Sequence, residues 1–286
     1  MYKKILLPTD GSKNAEIAAE HAFILGSKSN AEITVLNVVE TPRFMGIRSV
    51  DKDKLVDSLK KEGEKSFDRI KDMLMQCKSD GKCEEGVNLN FESKKGSAAD
   101  VILKTIEEED IDLVVMGSSG KGGMDRILLG SVAENTVRSA KVPVLVARYF
   151  KSELMYRKIL IPTDGSEHAN KALKHAIWIA GLSGAELIAL NVAGIKEIVK
   201  KEGRRSLEKV SKLVEESRTE GEEEIKLTMV MEEGYPADII VKKIKEENID
   251  LVVIGSSGKH GLGRILLGSV ARHVVRLAPC HVLVIP

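Results

Sequence analysis

Residues Asp112–Val132 read DLVVMGSSGKGGMDRILLGSV, and residues Asp250–Val270 read DLVVIGSSGKHGLGRILLGSV. The stretches align without a gap and differ only at Met116/Ile254, Gly122/His260, Met124/Leu262 and Asp125/Gly263. Each opens with an unbroken apolar run, as suits a parallel strand covered on both faces. It then passes into a glycine-punctuated loop and leads to a helix beginning near Ser131 or Ser269. The spacing is Gly117-x2-Gly120-x9-Gly130-Ser131, repeated as Gly255-x2-Gly258-x9-Gly268-Ser269. Glycine permits positive φ and close approach, so that consecutive backbone N–H groups can face an anion. The start of a helix adds the positive end of its macrodipole. No GK[ST] follows the loop and there is no strict GxGxxG, so neither common phosphate fingerprint is present. An architectural reading also fits the pattern: the glycines close a tight loop, and Ser131 caps a helix with Glu134 at the reciprocal position. In the second copy Arg272 replaces that glutamate while the serine stays, and a cap alone leaves this unexplained.

The repeat extends to the whole chain. MYKKILLPTDGS begins at Met1 and MYRKILIPTDGS at Met155, an offset of 155 − 1 = 154, which falls to 255 − 117 = 138 at the glycine loop. Each copy starts with an apolar strand (Lys4–Leu7, Lys158–Ile161) stopped by Pro8 or Pro162 and an Asp-Gly turn, with Ser12 or Ser166 as N-cap of the next helix. A second strand follows, AEITVLNVV or AELIALNVA, and strand-helix-strand implies a parallel crossover. Long amphipathic helices are expected over Asp51–Cys77 and Lys196–Ser217, and third strands over Val87–Ser93 and Ile225–Met231. Short helices come next, with Ser97 and Asp100 as a capping box and Pro236 in a first turn. The fourth strands, Leu113–Met116 and Leu251–Ile254, feed the loops, and PVLVA or HVLVI supplies a fifth. The expectation is two tandem α/β domains, residues 1–150 and 155–286, each with a five-stranded parallel, Rossmann-like sheet.

Length and composition set the outer bounds. At 286 residues the chain is about two domains long. With Lys+Arg 44 against Asp+Glu 43 there is no net-charge drive toward nucleic acid or an anionic membrane. No apolar run approaches the ~18 residues of a membrane helix, and the N-terminus lacks the pattern of a signal peptide, so the protein reads as cytoplasmic. Cys77, Cys83 and Cys280 are odd in number without CxxC spacing, and they read as reduced thiols outside any disulfide or zinc site. His21 and His175, equivalent on the first helices, read as structural.

Open parallel sheets bind ligands beyond the carboxyl ends of their strands. Pro8, Thr9 and Asp10, like Pro162, Thr163 and Asp164, lie at such ends, beside the loops that follow Met116 and Ile254. Asp-Gly is also a common turn pair whose carboxylate bonds its own backbone. The same aspartate beside the same loop in both copies favours a functional role. Lys121, Arg126, Lys259, His260 and Arg264 can meet phosphate oxygens, although loop cations are often merely solvated.

In combination, KILLPTDGS and KILIPTDGS, the second-strand LNV, and both full glycine loops ending in PVLVA and HVLVI resemble the universal stress proteins, in their ATP-binding branch. The resemblance covers essentially the whole chain as two tandem domains. It implies a strand order of 3-2-1-4-5, with ATP between strands one and four and adenine against the backbone near Val38 or Val192. Asp10 and Asp164 would lie near the ribose and a phosphate-bound metal, Mg2+, held indirectly through the phosphates. Gly117, Gly120, Lys121, Gly130, Ser131 and Val132 would cradle the phosphates, with Gly255, Gly258, Lys259, Gly268, Ser269 and Val270 as counterparts. The resemblance also implies that the halves form an internal pseudo-dimer and that chains pair again as a homodimer.

The function these readings support is an adenine-nucleotide-binding (ATP or AMP) regulator of stress response with one site per domain, acting on an unidentified protein partner. The loops offer no evident general base or nucleophile for fast phosphoryl transfer. The alternative is a slow ATPase or nucleotidyl-transfer enzyme on the same scaffold, and a third reading is a scaffold with purely architectural loops. The first copy carries an additional connection, Glu40–Val50, whose Arg43 and Arg48 make it a candidate lid over the first site.

Overall fold

Burial explains why the apolar runs become strands. In the first half, β1 (Lys4–Pro8) and β4 (Leu113–Gly117) place Ile5, Leu6, Leu7, Leu113, Val114 and Val115 wholly out of solvent. Such two-sided burial is what a run without alternation requires. The computed structural model describes residues 1–40, 49–84, 86–120, 129–148, 156–193, 197–217, 224–258 and 267–286, with 49–56 and 197–199 described for backbone alone. It divides into two units, 1–149 and 150–286.

The first unit adds α1 (Lys13–Ser29), β2 (Glu32–Val39), α2 (Ser49–Ser79), β3 (Asn88–Lys95), α3 (Ala98–Glu108), α4 (Ser131–Ser139) and β5 (Val144–Ala147). Its strands run in the order β3-β2-β1-β4-β5, with every pairing parallel. The second unit repeats this with β6 (Lys158–Pro162), α5 (Glu167–Ser183), β7 (Glu186–Ala193), α6 (Glu197–Glu216) and β8 (Leu227–Glu233), then α7 (Pro236–Glu246), β9 (Leu251–Gly255), α8 (Ser269–Leu277) and β10 (His281–Ile285). Its order is β8-β7-β6-β9-β10, again parallel. In each unit the chain winds outward from its first strand and then returns to the opposite side with its fourth. The loops after β1 and β4, or β6 and β9, therefore part at a topological switch point, where α/β sheets open a crevice.

The expected caps are partly realised. Ser12 accepts from the Ala15 N–H at 3.3 Å and Ser166 from the Ala169 N–H at 3.2 Å, and Pro236 occupies the first turn of α7. The capping box at Ser97 does not form: Ser97 is the N-cap of α3, but its side chain makes no capping bond. Instead the Ala98 N–H donates to the Glu40 carboxylate at 2.6 Å, an acceptor distant in sequence.

The cysteine expectation is overturned. Cys77 and Cys83 form a disulfide with Cα atoms 5.4 Å apart, and Cys280 is buried outside any disulfide. After α2 the chain reverses through Gly81 at φ 68°, and the N–H groups of Lys82 and Cys83 both return to the Cys77 carbonyl. That turn, invisible to a search for CxxC, brings the two thiols together. Among the described residues no helix is long and apolar enough to cross a membrane. Closing so short a loop stabilises by about 2 kcal/mol in the chain-entropy model. Cys77→Ser with Cys83→Ser, or a reductant, should lower the calorimetric midpoint of the first half and spare the second, where Ser217 replaces Cys77. An unchanged midpoint would show that the clip adds nothing.

Candidate functional site

At each switch point the loops enclose a cleft, of about 470 Å3 in the first half and about 500 Å3 in the second. Pro8, Thr9 and Asp10 enter the first from β1, Val38 from β2, Met116, Gly117 and Gly120 from β4 and its loop, and Gly130, Ser131 and Val132 from the start of α4. Pro162, Thr163, Asp164, Val192, Ile254, Gly255, Gly258, Gly268, Ser269 and Val270 line the second in the same way. The fold thus brings together every expected site residue that it describes. Lys121, Lys259, Arg126, His260 and Arg264 lie outside the described residues, as does the candidate lid from 41 to 48.

The start of α4 differs from the architectural reading. Its N-cap is Gly130, with no side-chain cap, and Ser131 is the first helical residue. The Gly130 N–H is spent on the Ser118 carbonyl at 2.7 Å, which ties the two ends of the loop together. The next N–H groups, of Ser131, Val132 and Ala133, have no intrahelical acceptor by helix geometry, and their residues line the cleft. α8 repeats the arrangement, with Gly268 as an N-cap lacking a side-chain bond and its N–H on Ser256 at 2.7 Å. A helix start left uncapped at the wall of a cleft attracts an anion.

The loop glycines serve closeness rather than unusual torsion, which corrects the expectation of positive φ. None of Gly117, Gly120, Gly130, Gly255, Gly258 and Gly268 has positive φ; the left-handed glycines here are Gly11 and Gly165, at 72° and 78°, in the Asp-Gly turns. A Cβ at Gly117 would lie 2.8 Å from the Asn14 carbonyl carbon and 3.0 Å from the Ala15 nitrogen, so this glycine lets β4 seat against α1. A Cβ at Gly120 would run into the Asp10 carboxylate, and one at Gly258 would lie 2.6 Å from Asp164 Oδ2. The aspartates combine both sequence readings. Oδ1 of Asp10 accepts from the Ser12 N–H at 3.0 Å and Oδ1 of Asp164 from the Ser166 N–H at 2.9 Å, as in a turn, while Oδ2 faces the glycine loop.

The structure adds residues that the sequence did not single out. Asn37 Nδ2 donates to the Thr9 carbonyl at 3.0 Å and Asn191 Nδ2 to the Thr163 carbonyl at 2.7 Å, fixing the strand ends that carry the aspartates. Each asparagine packs beneath a helical glycine, Gly63 or Gly203, where a Cβ would collide with its Oδ1. The signal was an asparagine inside an apolar strand, LNV in both copies, together with a repeated KKEG. Thr9 Oγ1 bonds Ser66 at 3.1 Å and accepts from the Gly11 N–H at 3.2 Å. Asn14 Nδ2 holds Ser119 of the first loop through Oγ at 2.8 Å, and His168 Nδ1 meets Ser257 Oγ of the second at 3.3 Å. Ala98 and Ile102 of α3, with Pro236 and Ile240 of α7, complete an apolar wall. Among the described residues no three Asp, Glu, His or Cys side chains gather as a metal site, so a cation here would draw most of its ligands from a bound anion and water.

A parallel α/β half with a ligand-sized cleft at its switch point is present twice in one chain. Residues 1–148 and 155–286 each match the model of the universal stress protein family, and the chain belongs to that family. It is 38% identical over 154 residues to a universal stress protein of Methanocaldococcus jannaschii, spanning 54% of this chain and 86% of that one. Along nearly its full length it is similar to a universal stress protein of Mycolicibacterium smegmatis, 24% identical over 289 residues, covering 98% of this chain and 96% of the other. The crystal structure of a universal stress protein from Archaeoglobus fulgidus superposes with a TM-score of 0.73 at 25% identity, covering 99% of this chain and 97% of that chain.

Proposed function

We propose that each half, 1–150 and 155–286, binds one adenine nucleotide, ATP or AMP, and that occupancy regulates a protein partner in a stress response. The observation that carries this reading is the uncapped start of α4 or α8 on one side of a cleft whose other wall is apolar. The N–H groups suit phosphate oxygens, and Val38, Ile102 and Met116, or Val192, Ile240 and Ile254, suit a flat base. Cleft volumes of about 470 and 500 Å3 fall within the range of small-molecule sites. Asp10 Oδ2 and Asp164 Oδ2 would orient a phosphate-bound Mg2+ or the ribose hydroxyls. Pairing of chains as a homodimer belongs to the same proposal and is read by sedimentation velocity.

Calorimetric titration of nucleotide-stripped protein with ATP and with AMP tests the reading, alongside Val38→Trp and Val192→Trp, each of which fills one cleft from the end of its second strand. Overpacking of this kind costs about 3 kcal/mol, so each variant should lose one of two sites by roughly a hundredfold. Absence of binding to both nucleotides in the parent protein would sink the proposal.

A further inference from the structure

The two clefts share their aspartate, their loop serines and their uncapped helix start, but not their charge. α4 carries Glu134 in its first turn, whereas α8 has no acidic residue there and places Arg272 at the equivalent position, 134 + 138 = 272. Neither side chain has a hydrogen-bonding or ionic partner among the described residues. Both residues sit in the first turn of their helix, where the Cα–Cβ bond tilts toward the N-terminus. Glu134 therefore offsets the positive end of α4, and Arg272 reinforces that of α8.

The other elements near the aspartate do not cancel this difference. At the starts of α1 and α5 the charges also exchange, Lys13 for Glu167, but each has a partner of opposite sign on its own helix, the Glu16 of the first being shared with Arg69 at 2.6 Å. Lys13 pairs with Glu16 at 3.3 Å and Glu167 with Lys171 at 3.2 Å. α3 and α7 carry the same acid in their first turns, Asp100 and Asp238.

We infer that the two sites select different anions: the second half takes a nucleotide with a long polyphosphate tail, and the first tolerates a monophosphate. Glu134 and Arg272 act as positioning charges that set this preference through the field at the helix start. The inference rests on the proposal that both clefts bind adenine nucleotide. One chain then reports on two phosphorylation states of one nucleotide.

Single-site proteins separate the halves, since Val192→Trp leaves the first cleft and Val38→Trp the second. The ratio of ATP to AMP affinity should be roughly tenfold higher at the second site, as expected for reversing a charge at a helix N-terminus. Glu134→Arg should raise the ratio at the first site, and Arg272→Glu should lower it at the second. Glu134→Gln and Arg272→Gln should move it half as far, which keeps the test open if a reversed charge perturbs folding. The difference should shrink at high ionic strength, because these side chains act across solvent. Binding at both sites with equal ratios, or ratios indifferent to these substitutions, would overturn the inference and leave nucleotide binding in place. No binding at either site would overturn both.

Discussion

Gly117→Ala should lower the unfolding temperature of the first half by roughly 10 °C, for a loss of about 3 kcal/mol. The added carbon would sit 2.8 Å from the Asn14 carbonyl carbon, 2.9 Å from its Cβ and 3.0 Å from the Ala15 nitrogen. Two of these three atoms are backbone, so no rotamer change relieves the contact. Helix α1 would have to lift from β4, yet its start is held by the Ser12 cap and by Asn14 on Ser119. Alanine also stiffens the unfolded chain, which returns up to about 1 kcal/mol. The clash outweighs that gain. Gly255→Ala should act alike on the second half, where the carbon would meet His168 Cβ at 2.8 Å and its carbonyl carbon at 2.9 Å. Calorimetry that found the first transition unmoved in Gly117→Ala would mean that α1 can slide, and that this glycine serves a bound ligand instead.

Acidification should destabilise the protein well before most carboxylates titrate. Burial of His21 holds its imidazole down at about 4, against an ordinary value of 6.5. In the unfolded chain the same group takes up its proton near 6.5, so the unfolded state binds more protons between the two values. Stability is then complete above pH 6.5, falls as pH drops toward 4, and is not lost further through this group below that. At 1.36 kcal/mol per pH unit the loss is about 3 kcal/mol. His175, at the equivalent place on α5, is lowered by burial in the same direction. Urea midpoints followed from pH 7.5 to 4.5, with the His21 resonances titrated by NMR, would decide the matter. A His21 that protonates near 6.5 in the folded protein would refute the account.

Much of the fold could be read from the chain because its strands are short, apolar on both faces and punctuated by Pro8, Pro162 and the Asp-Gly turns. The clefts could be read because residues at strand ends recur in two copies with fixed spacing. What stayed hidden depends on contacts between elements far apart in sequence. Ser131 looked like a cap, yet only the loop closure from Gly130 to Ser118 decides that the helix begins one residue earlier with no cap. Gly117 looked like a phosphate glycine, yet its need for smallness comes from α1. Ile102 and Ile240 reach the cleft only because α3 and α7 lie across it, and helical periodicity does not say what a buried face covers. The disulfide required knowing that α2 ends in a left-handed turn.

The contact of Gly63 with Asn37 bears on more than the strand end it steadies. α2 is 31 residues long. Sliding such a helix by one turn along a sheet exchanges one apolar neighbour for another at little cost. Gly63 breaks that degeneracy, since a shift of one turn either way would bring Leu59 or Phe67 onto Asn37, where there is no room for a Cβ. The pair works as an indexing notch that sets the axial position of the helix, and Gly203 with Asn191 cuts the same notch in the second half.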